Sequence, residues 1–417
     1  MTRKLVAIVL VAALARVAAV VVVHRIPLFR GVSRSLQPAV VPIFPDSLEY
    51  LKVADNILAG RGLMVDQASR IGRMPGYPVF LAAVRGVWGE SLLAARLTQV
   101  VVGVAGVWLV WLLARAVYGE REAVAAAAIA AVYPLLVLHT PLLLAETVFI
   151  TLLLWGLLSL RAAAAEQRLG SAALAGLALG LATLVRASLL PFVPLAAVVW
   201  VARWRLRRRA VQGAAVLVGV FAATMAPWVV RNYYASGGHF VATTCRAGPS
   251  LYEALNPEAD GAPMMDRIDW GWGTSGLSEW EQHRLWQRRA VAWAAANPGR
   301  VAVLAARKFV RFWNVLPNAP EFRRPLVLAC VGISVPYVVV VALAIVGLAS
   351  SWRRAEVRLI LLLPVVYYAL LHMVFVASLR YRVAVMPLAI VLAGRGLMRL
   401  SRRVWPEAAG GGGGPAQ

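Results

Sequence analysis

Ten apolar stretches divide the chain, each bounded by charge, proline or a polar turn. They run approximately over 5–23, 91–114, 122–139, 141–160, 169–185, 188–202, 210–229, 325–349, 357–378 and 381–399. Most reach the ~17–25 residues that an α-helix needs to cross a bilayer. The stretch at 188–202 is short and opens on Pro191 and Pro194, so it is expected to be broken or tilted. The alternating strands of roughly ten residues that build a membrane β-barrel are absent from the pattern. It predicts an all-α membrane protein, a polytopic bundle of about ten transmembrane helices with two large outer loops carrying amphipathic interfacial helices. The first stretch reads as a span rather than a cleaved leader. It is long for a leader's apolar region, carries Arg16, and lacks a small-x-small cleavage site ahead of a soluble domain.

Composition agrees with lipid as the solvent. The 417 residues are 61% hydrophobic and 15% charged, with a mean hydropathy of +0.72, against roughly half apolar and a quarter charged in soluble domains. The net charge of +24 comes from 43 Lys and Arg against 19 Asp and Glu. Nucleic acid is not the expected partner, because the chain has no basic stripe interleaved with aromatics. Much of the excess sits at span ends, in clusters at Arg3-Lys4, Arg115 to Arg121, Arg161 to Arg168, Arg203 to Arg209, Arg353 to Arg358 and Arg395 to Arg403. With ten spans all six clusters fall on one side, which predicts cytoplasmic termini in an inner or plasma membrane. The other side then carries outer loop one, 24–90, and outer loop two, 230–324. Residues 1–400 form the transmembrane unit, and the Gly-rich 401–417 reads as a flexible cytoplasmic tail. Loop two holds six of the fifteen Trp, and 279–313 reads as one or two amphipathic helices. Interfacial Trp is more often an anchor than a sugar-stacking platform. Cys245 and Cys330 have no metal-ligand spacing and no expectation of pairing.

Glu146 is the one acid within a predicted span, near its outer end, and intramembrane acids mark functional routes. In loop one, Pro45-Asp46-Ser47 reads as a helix start, so Asp46 is an N-terminal cap, a functional carboxylate, or both. Tyr50 falls on the same helical face four residues on, while Glu49 is expected to face solvent. Arg73-Met74-Pro75-Gly76-Tyr77-Pro78 makes a tight turn before an apolar run at about 79–88, too short to span and suited to an interfacial helix. Arg73, Arg186, Arg231, Arg380 and Arg382 are outer-face cations whose planar fork suits phosphate; snorkelling to headgroups is the plainer role for each. His139 and His372 read as satisfied structural residues rather than bases.

These motifs resemble the bacterial membrane glycosyltransferases of the C-type fold, in the branch related to the protein O-mannosyltransferases and the lipid A aminoarabinose transferase (glycosyltransferase family 39-like). The likeness is carried by Asp46 and Tyr50, by Arg73 to Leu81, by Leu144-Ala145-Glu146-Thr147-Val148-Phe149, and by Arg380-Tyr381-Arg382 ahead of Pro387, over about 40–150 and 360–400. It implies transfer of a sugar from a polyprenyl-phosphate donor to an acceptor hydroxyl on a lipid, glycan or protein. Transfer is implied at the outer face, with inversion and with Asp46 as general base. The substrate-binding set is then Tyr50, Arg73, Tyr77, Glu146, Arg186, Arg380, Tyr381 and Arg382. Many relatives carry two adjacent acids where this chain has Asp46-Ser47. A divalent metal shared by Asp46 and Glu146 therefore stays open, and no other cofactor is expected. The alternatives are a lipid or solute transporter, or flippase, which would show repeats and midplane charges, and an envelope scaffold.

Overall fold

The computed structural model describes residues 3–25, 45–203, 205–316 and 327–404. The glycine-rich tail and parts of both outer loops lie outside the described residues. The chain is a multi-pass helical membrane protein. In order its helices are α1 (Arg3–Arg25), α2 (Pro45–Leu58), α3 (Gly76–Trp88), α4 (Leu92–Tyr118), α5 (Glu120–Val132), α6 (Pro134–Leu138), α7 (Glu146–Glu166), α8 (Leu169–Val185) and α9 (Phe192–Arg203), then α10 (Arg208–Ala235), α11 (Ala247–Ala254), α12 (Glu279–Ala296), α13 (Pro298–Trp313), α14 (Val327–Ser351), α15 (Leu363–Val374), α16 (Leu379–Arg382) and α17 (Met386–Val404). Among the described residues seven helical segments are long and apolar enough to cross a membrane. α8 and α9 are shorter apolar helices.

Two predicted spans take a different shape. The stretch at 122–139 divides into α5 and α6 at Tyr133-Pro134, where proline lacks the N–H that would continue α5. The stretch at 141–160 begins as an irregular turn, and its helix starts at Glu146. The prolines near 188–202 act as expected: a short tight turn over Ala187–Leu189 precedes α9.

The bundle packs closely. α7 lies against α8 and α4, and α14 lies along α17. A Cβ at Gly347 would stand 1.9 Å from the Leu392 carbonyl oxygen, and one at Gly396 2.0 Å from that of Leu343. α14 and α17 therefore meet backbone to backbone, which only glycine at the crossing permits. Four of the six basic clusters, those around Arg115, Arg161, Arg354 and Arg395, meet at one end of the bundle. There Arg161 pairs with Glu356, Arg395 with Glu122 at 2.7 Å, and Arg354 donates to the Val117 carbonyl at 3.0 Å. Arg161 lies fifteen residues along α7 from Glu146, or about 22 Å at helical rise, so the motif-bearing residues gather at the opposite end. Arg16 is buried in α1 and donates to the carbonyls of Ala12 and Ala131, the usual refuge for a charge at membrane depth.

Loop two folds into its own small unit. Residues 279–313 form α12 and α13, α12 opening with a reciprocal cap between Ser278 and Glu281. Trp286 is 2% exposed, with Tyr252 and Trp270 against it. It is a core residue of the loop, not a membrane anchor. Lys308 is fully buried in α13 and donates to the carbonyls of Ala254 and Val374, tying the loop to α15.

Candidate active site

The site is assembled from five places far apart in the chain: the start of α2 with the turn before α3, the entry to α7, the end of α8, the residue before α11, and α16. Its foundation is the irregular turn between α6 and α7. Backbone groups outside regular helix at membrane depth need partners, and three successive carbonyls here find side-chain donors. Gln99 Nε2–H donates to Thr140 O at 2.7 Å, Arg96 Nε–H to Pro141 O at 3.0 Å, and Ser47 Oγ–H to Leu142 O at 3.0 Å. Leu143 takes the left-handed region, φ 51°, a conformation that costs a leucine roughly 1–2 kcal/mol. That turn delivers Glu146 to the first position of α7 with no exposed surface. A helix N-terminus also favours its negative charge.

α3 is fixed against the same foundation. A Cβ at Gly76 would lie 2.8 Å from the Leu184 carbonyl carbon, so the start of α3 abuts the end of α8. Tyr77 Oη–H donates to Gln99 Oε1 at 3.0 Å, and its ring meets Tyr50 edge-on at 4.9 Å. These contacts set α2 beside α3 and turn Asp46 and Glu49 toward Arg73.

The charged side chains form one continuous chain of contacts. Arg246 donates to Glu49 at 3.0 Å, and Glu49 also accepts from Arg73 Nε–H. Arg73 Nη2–H donates to Asp46 Oδ1 at 2.6 Å. The other Asp46 oxygen accepts from Arg380 Nη1–H, and Arg380 Nε–H donates to Glu146 Oε1. Glu146 Oε1 accepts as well from Arg186 Nη1–H at 2.7 Å. Glu146 Oε2 is buried with no hydrogen-bond partner among the described residues. The Arg186 guanidinium lies 5.5 Å from the Tyr381 ring, and that of Arg73 lies 5.3 Å from the Tyr50 ring. Exposure grades along the chain: the Asp46 side chain is 27% exposed, Arg380 20%, Arg186 15% and Glu146 0%. Asp46 and Glu49 are thus partly open, the latter at 28%, and Glu146 lies fully buried behind Arg380.

Burial pushes the Asp46 carboxyl up, but the Arg380 and Arg73 guanidiniums outweigh it and hold the group below the usual carboxylate range. Burial is likewise overcome at Glu49 by Arg73 and Arg246. Burial raises the Tyr50 phenol, keeping it neutral. Glu279 at the start of α12 is raised by burial, although its carboxylate accepts the Arg70 and Ile71 N–H groups at 2.8 Å each. That contact fastens loop two to the segment carrying Arg73.

Of the residues singled out in the sequence, Asp46, Tyr50, Arg73, Tyr77, Glu146, Arg186, Arg380 and Tyr381 come together. Arg382 does not join them. It is fully buried, lies 3.6 Å from the Tyr337 ring, and donates to the carbonyls of Phe312 and Asn314. Arg231 turns to Leu63 O and the Trp228 ring. His139 and His372 each bond a backbone carbonyl through Nδ1. Glu49 is in the network rather than in solvent. Arg246, Gln99 and the contact made by Ser47 were not foreseen; none sits in a periodic pattern or motif that would have flagged it. Ser47 is a donor to a carbonyl. An ionised carboxylate in its place has no proton for Leu142 O, so the Asp-Ser pair is built for this turn rather than as a reduced acid pair. Among the described residues no three His, Cys, Asp or Glu side chains converge as a metal cage requires.

Comparison with known proteins bears on the fold. Residues 73–230 match the family model described as dolichyl-phosphate-mannose-protein mannosyltransferase. No curated protein matches the chain. The fold is similar to that of the archaeal oligosaccharyltransferase AglB from Archaeoglobus fulgidus, solved with an inhibitory peptide and a dolichol-phosphate. The TM-score is 0.60 at 14% identity, over 96% of this chain and 51% of that one. The apo form of the Archaeoglobus fulgidus oligosaccharyltransferase gives 0.60 at 13%, with the same coverage. ArnT from Cupriavidus metallidurans bound to undecaprenyl phosphate aligns at 0.39 and 17%, over 94% of this chain and 78% of that one. The chain spans about half the length of the oligosaccharyltransferases it matches. The resemblance read from the motifs is borne out: this is a C-type glycosyltransferase fold.

Proposed function

We propose that the chain transfers a sugar from a polyprenyl-phosphate donor to an acceptor hydroxyl at the non-cytoplasmic face of the membrane, with inversion at the anomeric carbon. The observation that carries this reading is the run of contacts from Arg246 to Arg186. Three carboxylates, Asp46, Glu49 and Glu146, stand among four guanidiniums, Arg73, Arg186, Arg246 and Arg380. The site is cationic by one charge, which suits the phosphate of a lipid-borne donor. It suits a divalent cation poorly. Every carboxylate already faces at least one arginine, Arg380 stands between Asp46 and Glu146, and Ser47 supplies no second acid. We therefore route no step through a metal.

Asp46, the most accessible acid of the connected pair, is the general base. As the acceptor oxygen bonds to the anomeric carbon, its proton passes to Asp46. The bond from that carbon to the phosphate oxygen breaks, and the electron pair leaves with the lipid phosphate. Arg380 and Arg186 hold the developing charge on that oxygen. Glu146, deeper and fully buried, positions both arginines. Tyr50, Tyr77 and Tyr381 form the aromatic wall against which Arg73 and Arg186 lie. The basic clusters at the far end of the bundle support cytoplasmic termini and an outward site. The acids gather at the start of α7, about 22 Å from the Arg161 end by helical rise, instead of at the middle of the bundle, which favours the enzyme over a transporter.

The reading is tested by mass spectrometry of envelope lipids and glycans in cells lacking the gene, complemented with wild type or Asp46→Asn. A glycan that wild type restores and Asp46→Asn does not is the expected result. Equal restoration by both removes Asp46 from the chemistry, and no glycan change in the deletion removes the transferase.

A further inference from the structure

Both oxygens of the proposed base are engaged. Asp46 Oδ1 accepts from Arg73 at 2.6 Å and Oδ2 from Arg380. A carboxylate so bound keeps one free lone pair on each oxygen, but the two guanidiniums in contact with it favour its proton-free form too strongly for it to take a proton. Neither arginine is idle. Arg380 is also tied to Glu146 and Arg73 to Glu49, so each can leave Asp46 without losing every partner. Arg380 sits on α16, a helix of four residues, and Arg73 in the turn before α3. Arg380 is a phosphate ligand of the reading above, on which this inference rests, and Arg73 is the second guanidinium on the same carboxylate.

We propose that Asp46 is latched in the resting enzyme by Arg73 and Arg380, and that the phosphate of an arriving polyprenyl-phosphate donor releases it by competing for those same two guanidiniums. The donor binds first and creates the base. An acceptor reaching the empty site meets a carboxylate that cannot deprotonate it. The chemistry is that of a transfer with its base unmasked: the acceptor proton moves to Asp46, the new carbon–oxygen bond forms, and the carbon–oxygen bond to phosphate breaks with its electrons on the phosphate. When the lipid phosphate departs, Asp46 loses the proton to water and the two arginines return to it. Glu146 and Glu49 keep the arginines in place throughout, which accounts for two further acids beside one base.

The latch makes a prediction opposite in sign to that for an ordinary binding residue. Removing the Asp46 charge removes the phosphate's competitor, so lipid-phosphate binding tightens. Undecaprenyl phosphate, without a sugar, is the probe, titrated into the full-length protein in nanodiscs and read by intrinsic tryptophan fluorescence. Asp46→Asn is expected to bind it about tenfold more tightly than wild type, the equivalent of about 1.4 kcal/mol, a scale in keeping with partly exposed ion pairs. Asp46→Ser, a smaller change at the same place, is expected to do the same. Glu49→Gln, which loosens Arg73 and Arg246 but leaves both Asp46 pairs in place, is expected to tighten binding to a lesser degree. Thermal melts of each variant verify folding. Unchanged or weaker binding in both folded Asp46 variants overturns the latch while leaving the donor assignment intact. Failure of wild type and all variants to bind the lipid phosphate overturns the donor assignment and the latch with it.

Discussion

Removing Glu146 tests the architecture of the site most directly. Its carboxylate is fully buried and one oxygen, Oε1, serves both Arg186 and Arg380. Those arginines are only 15% and 20% exposed, so solvent screens the pairs little. Glu146→Ala leaves two largely buried guanidiniums without their shared anion. Breaking a buried pair from one side costs about 3–5 kcal/mol, and because Arg380 keeps Asp46 the loss falls chiefly on Arg186. Glu146→Gln retains an acceptor at Oε1 and loses the charge. It also places an NH2 where Oε2 now has no partner. Exchanging charge-assisted for neutral hydrogen bonds costs roughly 1 kcal/mol at each contact, so about 2 kcal/mol is expected. Purified protein in detergent would be unfolded by heat or denaturant, and the midpoints compared at fixed lipid content. The expected order is wild type, then glutamine, then alanine. An alanine variant that melts with wild type would mean that Glu146 does not hold Arg186 and Arg380 as described, and the reasoning would fail with it.

Asp46→Asn should lower kcat by about 10²–10⁴, the usual contribution of a general base, with little change in KM for the acceptor in a transfer assay with purified protein; an activity within threefold of wild type refutes the assignment. The pH dependence of the Asp46 pairs follows from a folded-state value below the unfolded one. Their stability is complete above the unfolded value of about 3.9 and is lost as pH falls through the folded value. The difference in melting temperature between wild type and Asp46→Asn should therefore be flat from pH 5 to 8 and shrink only below about pH 4. A difference that varies across the neutral range contradicts the pairing. Arg380→Ala should weaken undecaprenyl phosphate binding, whereas Arg382→Ala should lower the melting temperature and leave that affinity unchanged; similar effects of both on affinity would show that Arg382 shares the site.

Much of this was legible in the chain. Long apolar runs are local, and lipid forces them into helices whatever their neighbours. The sequence by itself therefore determined the helical membrane class, the short helix over about 79–88 and the helical character of 279–313. It also marked Asp46 and Glu146, since an acid in so apolar a setting stands out. The tertiary structure alone decided which charges meet. Arg380 contacts a carboxylate 334 residues away, and no local pattern carries that information. Arg380 and Arg382 look equivalent as sequence, but residues two apart on a helix point to nearly opposite sides. One therefore enters the site and the other is buried against Tyr337 and two carbonyls. Arg246 and Ser47 gained their roles only when loop two closed on loop one and α2 settled on the turn before Glu146. Hydrophobicity fixes where a helix lies with respect to lipid. Which polar groups pair depends on the packing of helices distant in sequence, and here that packing sets Asp46 between the two arginines that hold it.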